Sequence, residues 1–310
     1  MEFSLTILGT SAAQPAHGRH PSAQLLRMRD HSLLIDCGEG TQMQLGKYRL
    51  HSGRIDRIFI SHLHGDHCFG LIGLLTSFAL SDRDRPLEVY SPPGLREMIE
   101  VQLRMTASRL PFVVDFVEVT VGDLEVLVEE EAFEVLAFPL RHRIPTLGYL
   151  FRERPAPRRI RPEKIEEYGL DFLQIRAIKS GADLSLPGGS MVPNAELTYP
   201  SSPPRSFAYC SDTAFEPRIA EFANGVDLLF HESTFCSDRA DRAAETQHAT
   251  AAQAAQIARL AGAGRLLLGH FSSRYEDATV FLQEAQAIFP RSELTWEGRV
   301  VQLPFEKRPF

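Results

Sequence analysis

Apolar residues fall in short bursts along the chain, most of them too brief for helices. Residues 3–8 read as a strand ahead of Gly9, and residues 23–26 and 32–35 as two more, the latter running into Asp36-Cys37-Gly38. Residues 54–60 predict a fourth strand. It leads into Ser61-His62-Leu63-His64-Gly65-Asp66-His67, which interrupts the pattern before residues 68–80, an apolar segment of helical length. Residues 86–90 predict a strand, 94–106 a helix, and 113–127 with 133–138 a set of strands. Residues 207–210, 226–230 and 265–269 are apolar runs alternating with helical stretches such as 249–261. That alternation predicts α/β layers. No internal repeat, heptad or low-complexity tract is present.

Between about residues 151 and 205 the pattern changes. Eight prolines break this stretch into short pieces, and it opens with Arg152, Arg154, Arg158, Arg159, Arg161 and Lys164, diluted only by Glu153 and Glu163. It reads as an inserted arm rather than a second core, within a single domain spanning 1–310. The arm is also the one dense basic stretch of an acidic chain.

Composition narrows the class. The 310 residues are 44% hydrophobic and 24% charged, with 21 Gly and 20 Pro, a balance that excludes a disordered or collagen-like chain. A formal net charge of -7 means that bulk charge does not attract a polyanion, so nucleic-acid binding would need a local basic patch or a metal site. Cys37, Cys68, Cys210 and Cys236 form no C-x-x-C pair and are too few for a disulfide framework, which predicts a reducing, cytoplasmic setting. The start has no basic leader, and residues 69–80 are too short to span a bilayer, so no membrane partner is expected.

The candidate chemistry lies in the histidines. His62-x-His64-x-Asp66-His67 puts four potential ligands within six residues on a loop leaving a strand, and imidazole with carboxylate is the ligand set of zinc. His142, Asp212 and His270 each follow the end of an apolar run. Strand ends of an α/β sheet converge on one rim, so these scattered positions predict one site. Five histidines with Asp66 and Asp212 are too many for one tetrahedral zinc and suit two if a carboxylate bridges. Two metals roughly 3.5–4 Å apart would support metal-assisted hydrolysis. No Gly-x-Ser-x-Gly elbow or phosphate-binding glycine loop is present to suggest another mechanism.

These residues carry a resemblance. The H-x-H-x-D-H loop, residues 34–42 (Leu-Ile-Asp-Cys-Gly-Glu-Gly-Thr-Gln), His142, Asp212 and His270 resemble the metallo-β-lactamase superfamily. Within it, Cys210-Ser211-Asp212-Thr213, His231-Glu232-Ser233-Thr234-Phe235, His248-Ala249-Thr250 and Gly269-His270-Phe271-Ser272-Ser273-Arg274-Tyr275 are similar to the ribonuclease Z family of tRNA 3′-processing endonucleases. The resemblance implies an αββα four-layer sandwich, a homodimer, and an exosite arm that grips precursor tRNA. By the same resemblance His62, His64 and His142 would hold one zinc, Asp66, His67 and His270 the other, and Asp212 would bridge. Asp66 would serve as general base, and His248 would protonate the leaving 3′ oxygen, oriented by Glu232. His231 is secondary, a residue that caps or holds its loop. Arg158, Arg159 and Arg161 would contact tRNA phosphates.

The chain departs from the family pattern in two places. A P-x-K-x-R loop is here Pro15-Ala16-His17-Gly18-Arg19, and the arm contains no Gly-Pro element. The reaction implied is hydrolysis of the phosphodiester 3′ of the discriminator nucleotide, leaving a tRNA 3′-hydroxyl. Alternatives are a phosphodiesterase or 3′ exoribonuclease of the same superfamily and, from another class, a non-catalytic RNA-binding metalloprotein. Manganese, iron or cobalt also suit the ligand set.

Overall fold

The computed structural model describes residues 2–201 and 203–303; residues 1 and 304–310, at the ends of the predicted 1–310 domain, and residue 202 lie outside the described residues. Two seven-stranded sheets organise the chain. In the first, β1 (Phe3–Gly9), β2 (Ala23–Met28), β3 (His31–Ile35), β4 (Ile55–Phe59), β5 (Leu87–Ser91) and β6 (Val114–Glu118) lie in chain order. Pairing is antiparallel from β1 to β3 and parallel from β3 to β6. The second sheet runs, also in chain order, through β7 (Glu125–Glu129), β8 (Phe133–Leu140), β9 (Thr146–Glu153), β10 (Ser206–Cys210), β11 (Leu228–Glu232), β12 (Arg265–Gly269) and β13 (Ser292–Leu294). Its last four strands are parallel, and β14 (Val300–Gln302) returns to pair antiparallel with β1.

The two-residue period of the strands builds the layers. On β4, Ile58 packs with Leu71, Leu74, Leu75 and Phe78 of helix Leu71–Leu80. Its neighbour Phe59 faces the other sheet, with its ring 5.3 Å from Tyr149 and 5.4 Å from Phe151. On β10, Ala208 and Cys210 meet the alanines of helix Ala251–Leu260, while Phe207 stacks on Phe151 at 5.9 Å. Tyr149 donates its hydroxyl to the Ile60 carbonyl at 2.7 Å, tying the sheets together. Each of the buried Ile, Leu and Phe side chains contributes roughly 1.5–3 kcal/mol, and together with the small residues they give the expected αββα sandwich.

Three local readings change. The predicted helix over 68–80 is a single turn, Gly65–Cys68, followed by Leu71–Leu80, with a break at Phe69 and Gly70. β9 replaces what reads as the start of the arm: it lies inside the sheet, and Gly148 is required because a Cβ there would come within 2.2 Å of the Phe138 ring.

The third concerns the arm. Among the described residues two compact units are present, the first formed by residues 2–128, 135–151 and 206–303, the second by 129–134, 152–201 and 203–205. The second has an apolar cluster of its own, Leu170, Ile178, Leu184, Val192 and Leu197, contrary to the expectation of a coreless arm. Prolines mark the borders of its elements. Helix Pro162–Tyr168 begins on Pro162, and Phe172–Lys179 is set by a capping box between Asp171 and Gln174. A buried two-point ion pair, Arg205 Nε and Nη2 to the Glu153 carboxylate at 2.9 and 2.8 Å, closes its root.

Candidate metal centre

The parallel strands of the two sheets deliver polar side chains from their C-terminal ends. Asp36 follows β3, the His62–His67 loop follows β4, Asp212 follows β10, Glu232 ends β11 and His270 follows β12, while His142 follows β8. Asp36 and His270 take left-handed backbone, φ 55° and 61°, a conformation uncommon outside glycine that clusters at functional sites.

All seven predicted ligand residues converge. Three groups have their ligand atoms within 4.8 Å of one another: His62, His64, His142 and Asp212; Asp66, His67 and His270; and Asp212, His248 and His270. In the first, His64 Nδ1 lies 3.0 Å from His62 Nε2 and 3.4 Å from His142 Nε2. Asp212 Oδ2 lies 3.5 Å from His62 Nε2 and 3.9 Å from His142 Nε2. In the second, His67 Nε2 and His270 Nε2 are 3.2 Å apart, and Asp66 Oδ2 is 3.4 and 3.3 Å from them. Asp212 Oδ1 stands 3.4 Å from His67 Nε2 and 3.2 Å from His270 Nε2. Ligands at zinc–nitrogen distances of about 2.0–2.1 Å in a tetrahedron stand roughly 3.3 Å apart, so both sets fit such a cation. Asp212 gives one oxygen to each set. Its Oδ1 is buried and has no hydrogen-bond donor among the described residues, as expected of an atom whose partner is a cation.

Hydrogen bonds fix which ring nitrogen faces inward. His67 donates Nδ1–H to Asp36 at 2.7 Å, and His142 donates Nδ1–H to the Gln247 carbonyl at 2.9 Å, turning each Nε2 towards the ligand sets. Two further rings reach a buried carboxylate through a hydroxyl. His62 Nδ1 meets Ser61 Oγ at 3.0 Å, and Ser61 donates to Asp36; His270 Nδ1 meets Thr234 Oγ1 at 2.9 Å, and Thr234 donates to Glu232. Glu232 also accepts from His248 Nδ1 at 2.9 Å and from the backbone N–H groups of Thr213, Thr234 and Ala249. His231 is fully buried, bonds its Nδ1 to the Glu232 carbonyl and belongs to none of the three groups.

Charge follows from this packing. Burial holds His62, His64 and His142 below the ordinary imidazole value, so they are neutral, as metal ligands must be. Burial works against charge on Asp66, Asp212 and Glu232, but the surrounding imidazoles outweigh it and keep all three ionised. For His67 burial is likewise outweighed, by Asp66, Asp212 and Asp36, and the ring holds its proton well above the ordinary range. That proton occupies the place of a cation. His248 is pushed up to about 9, burial being overcome by Glu232 and Asp212.

The centre opens into a cleft of about 740 Å³, lined by Gln14, His64, Asp66, Asp212, His248 and His270 among others. Arg158, Arg159 and Arg161 belong to the second unit. There Arg158 Nε bonds Thr198 Oγ1 at 2.7 Å, and Arg161 lies over the Tyr199 ring at 4.7 Å, while Arg159 is exposed. Ser61 and Thr234, the relaying hydroxyls, are absent from the sequence-based assignment. Their positions beside His62 and Glu232 were the available signal.

Two family models match parts of the chain, "Anti-Pycsar protein Apyc1" over residues 3–151 and "Beta-lactamase superfamily domain" over residues 197–271. A ribonuclease Z of Bacteroides fragilis is 45% identical over 302 residues, covering 97% of this chain and 99% of the relative. One from Cytophaga hutchinsonii is 44% identical over 299 residues, covering 96% and 95%. Among solved structures, the human tRNase Z short form superposes with a TM-score of 0.72 at 30% identity, covering 97% of this chain and 100% of that one. The Bacillus subtilis metallo-β-lactamase fold protein YhfI, at TM-score 0.68 and 19% identity, shares the fold. With near-complete coverage at this identity, and with the metallo-β-lactamase fold built around its histidine-rich rim, the chain belongs to the ribonuclease Z family.

Proposed function

We propose that the protein is a zinc-dependent endoribonuclease that removes the 3′ trailer of precursor tRNA, cutting 3′ of the discriminator nucleotide and leaving a tRNA 3′-hydroxyl. The observation that carries this reading is Asp212, whose two oxygens each complete a separate set of ligand atoms at 3.2–3.9 Å. His62, His64 and His142 would hold one zinc, Asp66, His67 and His270 the second, with Asp212 shared. When bound, the pair supplies the charge that offsets the phosphate and lowers the pKa of water towards neutrality.

The chain's own residues then divide the proton work. Asp66 is ionised, lines the cleft and is held by the Ala13 N–H at 2.7 Å, which suits a base that orients and deprotonates the attacking water. His248 carries a proton at neutral pH and presents its Nε2 edge to the cleft, since Nδ1 is taken by Glu232. It gives that proton to the departing 3′ oxygen of the tRNA. Glu232 fixes the ring and sustains its charge. The arm, residues 152–205, would recognise tRNA through exposed Arg159, with Arg158 and Arg161 beside it, and the family relationship favours a homodimer.

The test is to incubate the metal-loaded protein with 3′-extended precursor tRNA, with and without chelator, and to map the new end. One metal-dependent cut beside the discriminator is expected. Progressive shortening would assign a 3′ exoribonuclease instead, and hydrolysis confined to small phosphodiesters would overturn the tRNA reading.

A further inference from the structure

Phe69 is unusual in its setting. It sits at the break between the Gly65–Cys68 turn and helix Leu71–Leu80, four residues after the start of the turn that carries Asp66 and His67. Cys68 and Leu71 on either side are buried at 2% and 0% exposure, yet Phe69 is 61% exposed. It is not a loose surface ring. A Cβ on Gly65 would meet three of its ring carbons at 2.5–3.1 Å, so the ring lies flush against the Gly65 backbone with one side supported. Its backbone N–H is bonded to the Gly65 carbonyl at 2.9 Å. The ring lines the cleft that holds the metal centre.

The same cleft is lined by two guanidinium groups that have no hydrogen bond or ion pair from their side chains among the described residues. These are Arg143, next to His142, and Arg274, in the loop after His270. Arg242, also on the lining, is by contrast paired with Glu245 at 2.6 Å. With cations offsetting the acidic floor, the free cationic walls suit a phosphodiester chain whose phosphates meet Arg143 and Arg274. An aromatic face held open beside such phosphates suits a base, because every nucleobase offers a π-face whatever its sequence.

We propose that Phe69 is a platform on which a nucleobase next to the cleaved phosphodiester stacks, while Arg143 and Arg274 take the phosphates flanking it. The proposal rests on the nuclease reading above and adds the nucleotide contact that positions the substrate.

It is tested by steady-state kinetics on 3′-extended precursor tRNA. Phe69→Ala should raise KM by about 5- to 160-fold, the range typical of losing one aromatic–base stack, with kcat nearly unchanged. Phe69→Trp should keep KM near that of the native protein. Phe69→Leu covers the Gly65 backbone without a π-face and should behave like Phe69→Ala, with an unchanged melting temperature. An abasic ribose placed in turn on either side of the cut supplies the second arm. At one position it should cost the native protein the same factor in KM and cost Phe69→Ala nothing further, the non-additivity expected of interacting partners. Full retention of KM in Phe69→Leu, or abasic penalties equal in both proteins at every position, overturns the proposal. A changed sedimentation coefficient in Phe69→Ala with no base-dependent effect also overturns it, assigning the ring to contact between copies. If the native protein makes no cut in precursor tRNA, the nuclease reading falls and takes this proposal with it; a normal cut indifferent to Phe69 removes the proposal alone.

Discussion

At the scale of single residues, two buried carboxylates organise the centre in the same way. Asp36 holds His67 directly and His62 through Ser61; Glu232 holds His248 directly and His270 through Thr234. Neutralising Glu232 while keeping its shape separates charge from packing. Glu232→Gln should lower kcat about 10- to 100-fold, the usual effect of losing a partner behind a functional ring, with a much smaller change in KM. It should also move the pH profile. His248, pushed up to about 9 by Glu232 and Asp212, is protonated below that value and supplies its proton across neutral pH. Without the Glu232 charge its pKa falls, so the alkaline decline of kcat shifts to lower pH; an unmoved decline would remove His248 from the acid role. Chelation probes the other carboxylate. In metal-free protein His67 keeps its proton against Asp66, Asp212 and Asp36, with a folded pKa raised above its unfolded value near 6.5. Its contribution is full below that unfolded value and is lost as pH rises through the folded one. The melting temperature of chelated protein should therefore fall with rising pH in this window, and the metal-loaded protein, its proton replaced, should not follow it.

At the scale of elements, the site depends on two loops crossing without side chains between them. Gly70 N–H bonds the Cys37 carbonyl and Cys37 N–H the His67 carbonyl, at 2.9 and 2.8 Å. A Cβ on Gly70 would stand 2.0 Å from the Gly38 carbonyl oxygen, and one on Gly38 2.4 Å from that of Asp66. Gly70→Ala should accordingly destabilise by about 1–3 kcal/mol and weaken zinc binding, because the loop carrying Asp66 and His67 must move; urea unfolding and metal titration measure both. This crossing also shows where sequence reading stops. The His62–His67 cluster and the strand-end placement of His142, Asp212 and His270 are legible, because the ligand types and the strand period lie in contiguous residues. The helix break at Phe69 is not, since it is imposed by a backbone thirty residues earlier. Nor is β9 evident, because a strand inside the sheet loses the alternation that marks a half-buried one, and Gly148 reads as a breaker until Phe138 is seen against it. The arm's own core escapes for a similar reason: Leu170, Ile178, Leu184, Val192 and Leu197 are too dispersed among prolines to show a period.

At the scale of the whole molecule, the proposed function requires a chain of net charge -7 to bind a polyanion. Three of the carboxylates behind that number, Asp36, Asp212 and Glu232, are buried around the histidines, and a fourth, Asp66, is half-buried at the cleft, where bound cations would offset them. The rest of the attraction has to come from cations left free at the surface, and the arm's arginines are not equivalent in this respect. Arg152 and Arg154 pair with Glu134 and Glu129, and Arg205 is buried on Glu153. Arg158 bonds Thr198, and Arg161 bonds the Thr198 carbonyl and covers Tyr199, so both brace the short ladder between Arg159–Ile160 and Thr198–Tyr199. Arg159 is exposed, with the Tyr199 ring 5.8 Å away as its aromatic neighbour. Each phosphate contact that releases a counterion adds about 0.7–0.9 to the slope of log K against log salt. Arg159→Ala should flatten the slope for tRNA binding by about that amount, leave the melting temperature unchanged and spare hydrolysis of a small chromogenic phosphodiester. Arg158→Ala should lower the melting temperature as well, because it removes a bond inside the arm. Thermal melting distinguishes the two, binding measured by fluorescence anisotropy across a salt series reads the slope, and an unchanged slope in Arg159→Ala would move tRNA recognition away from this face of the arm.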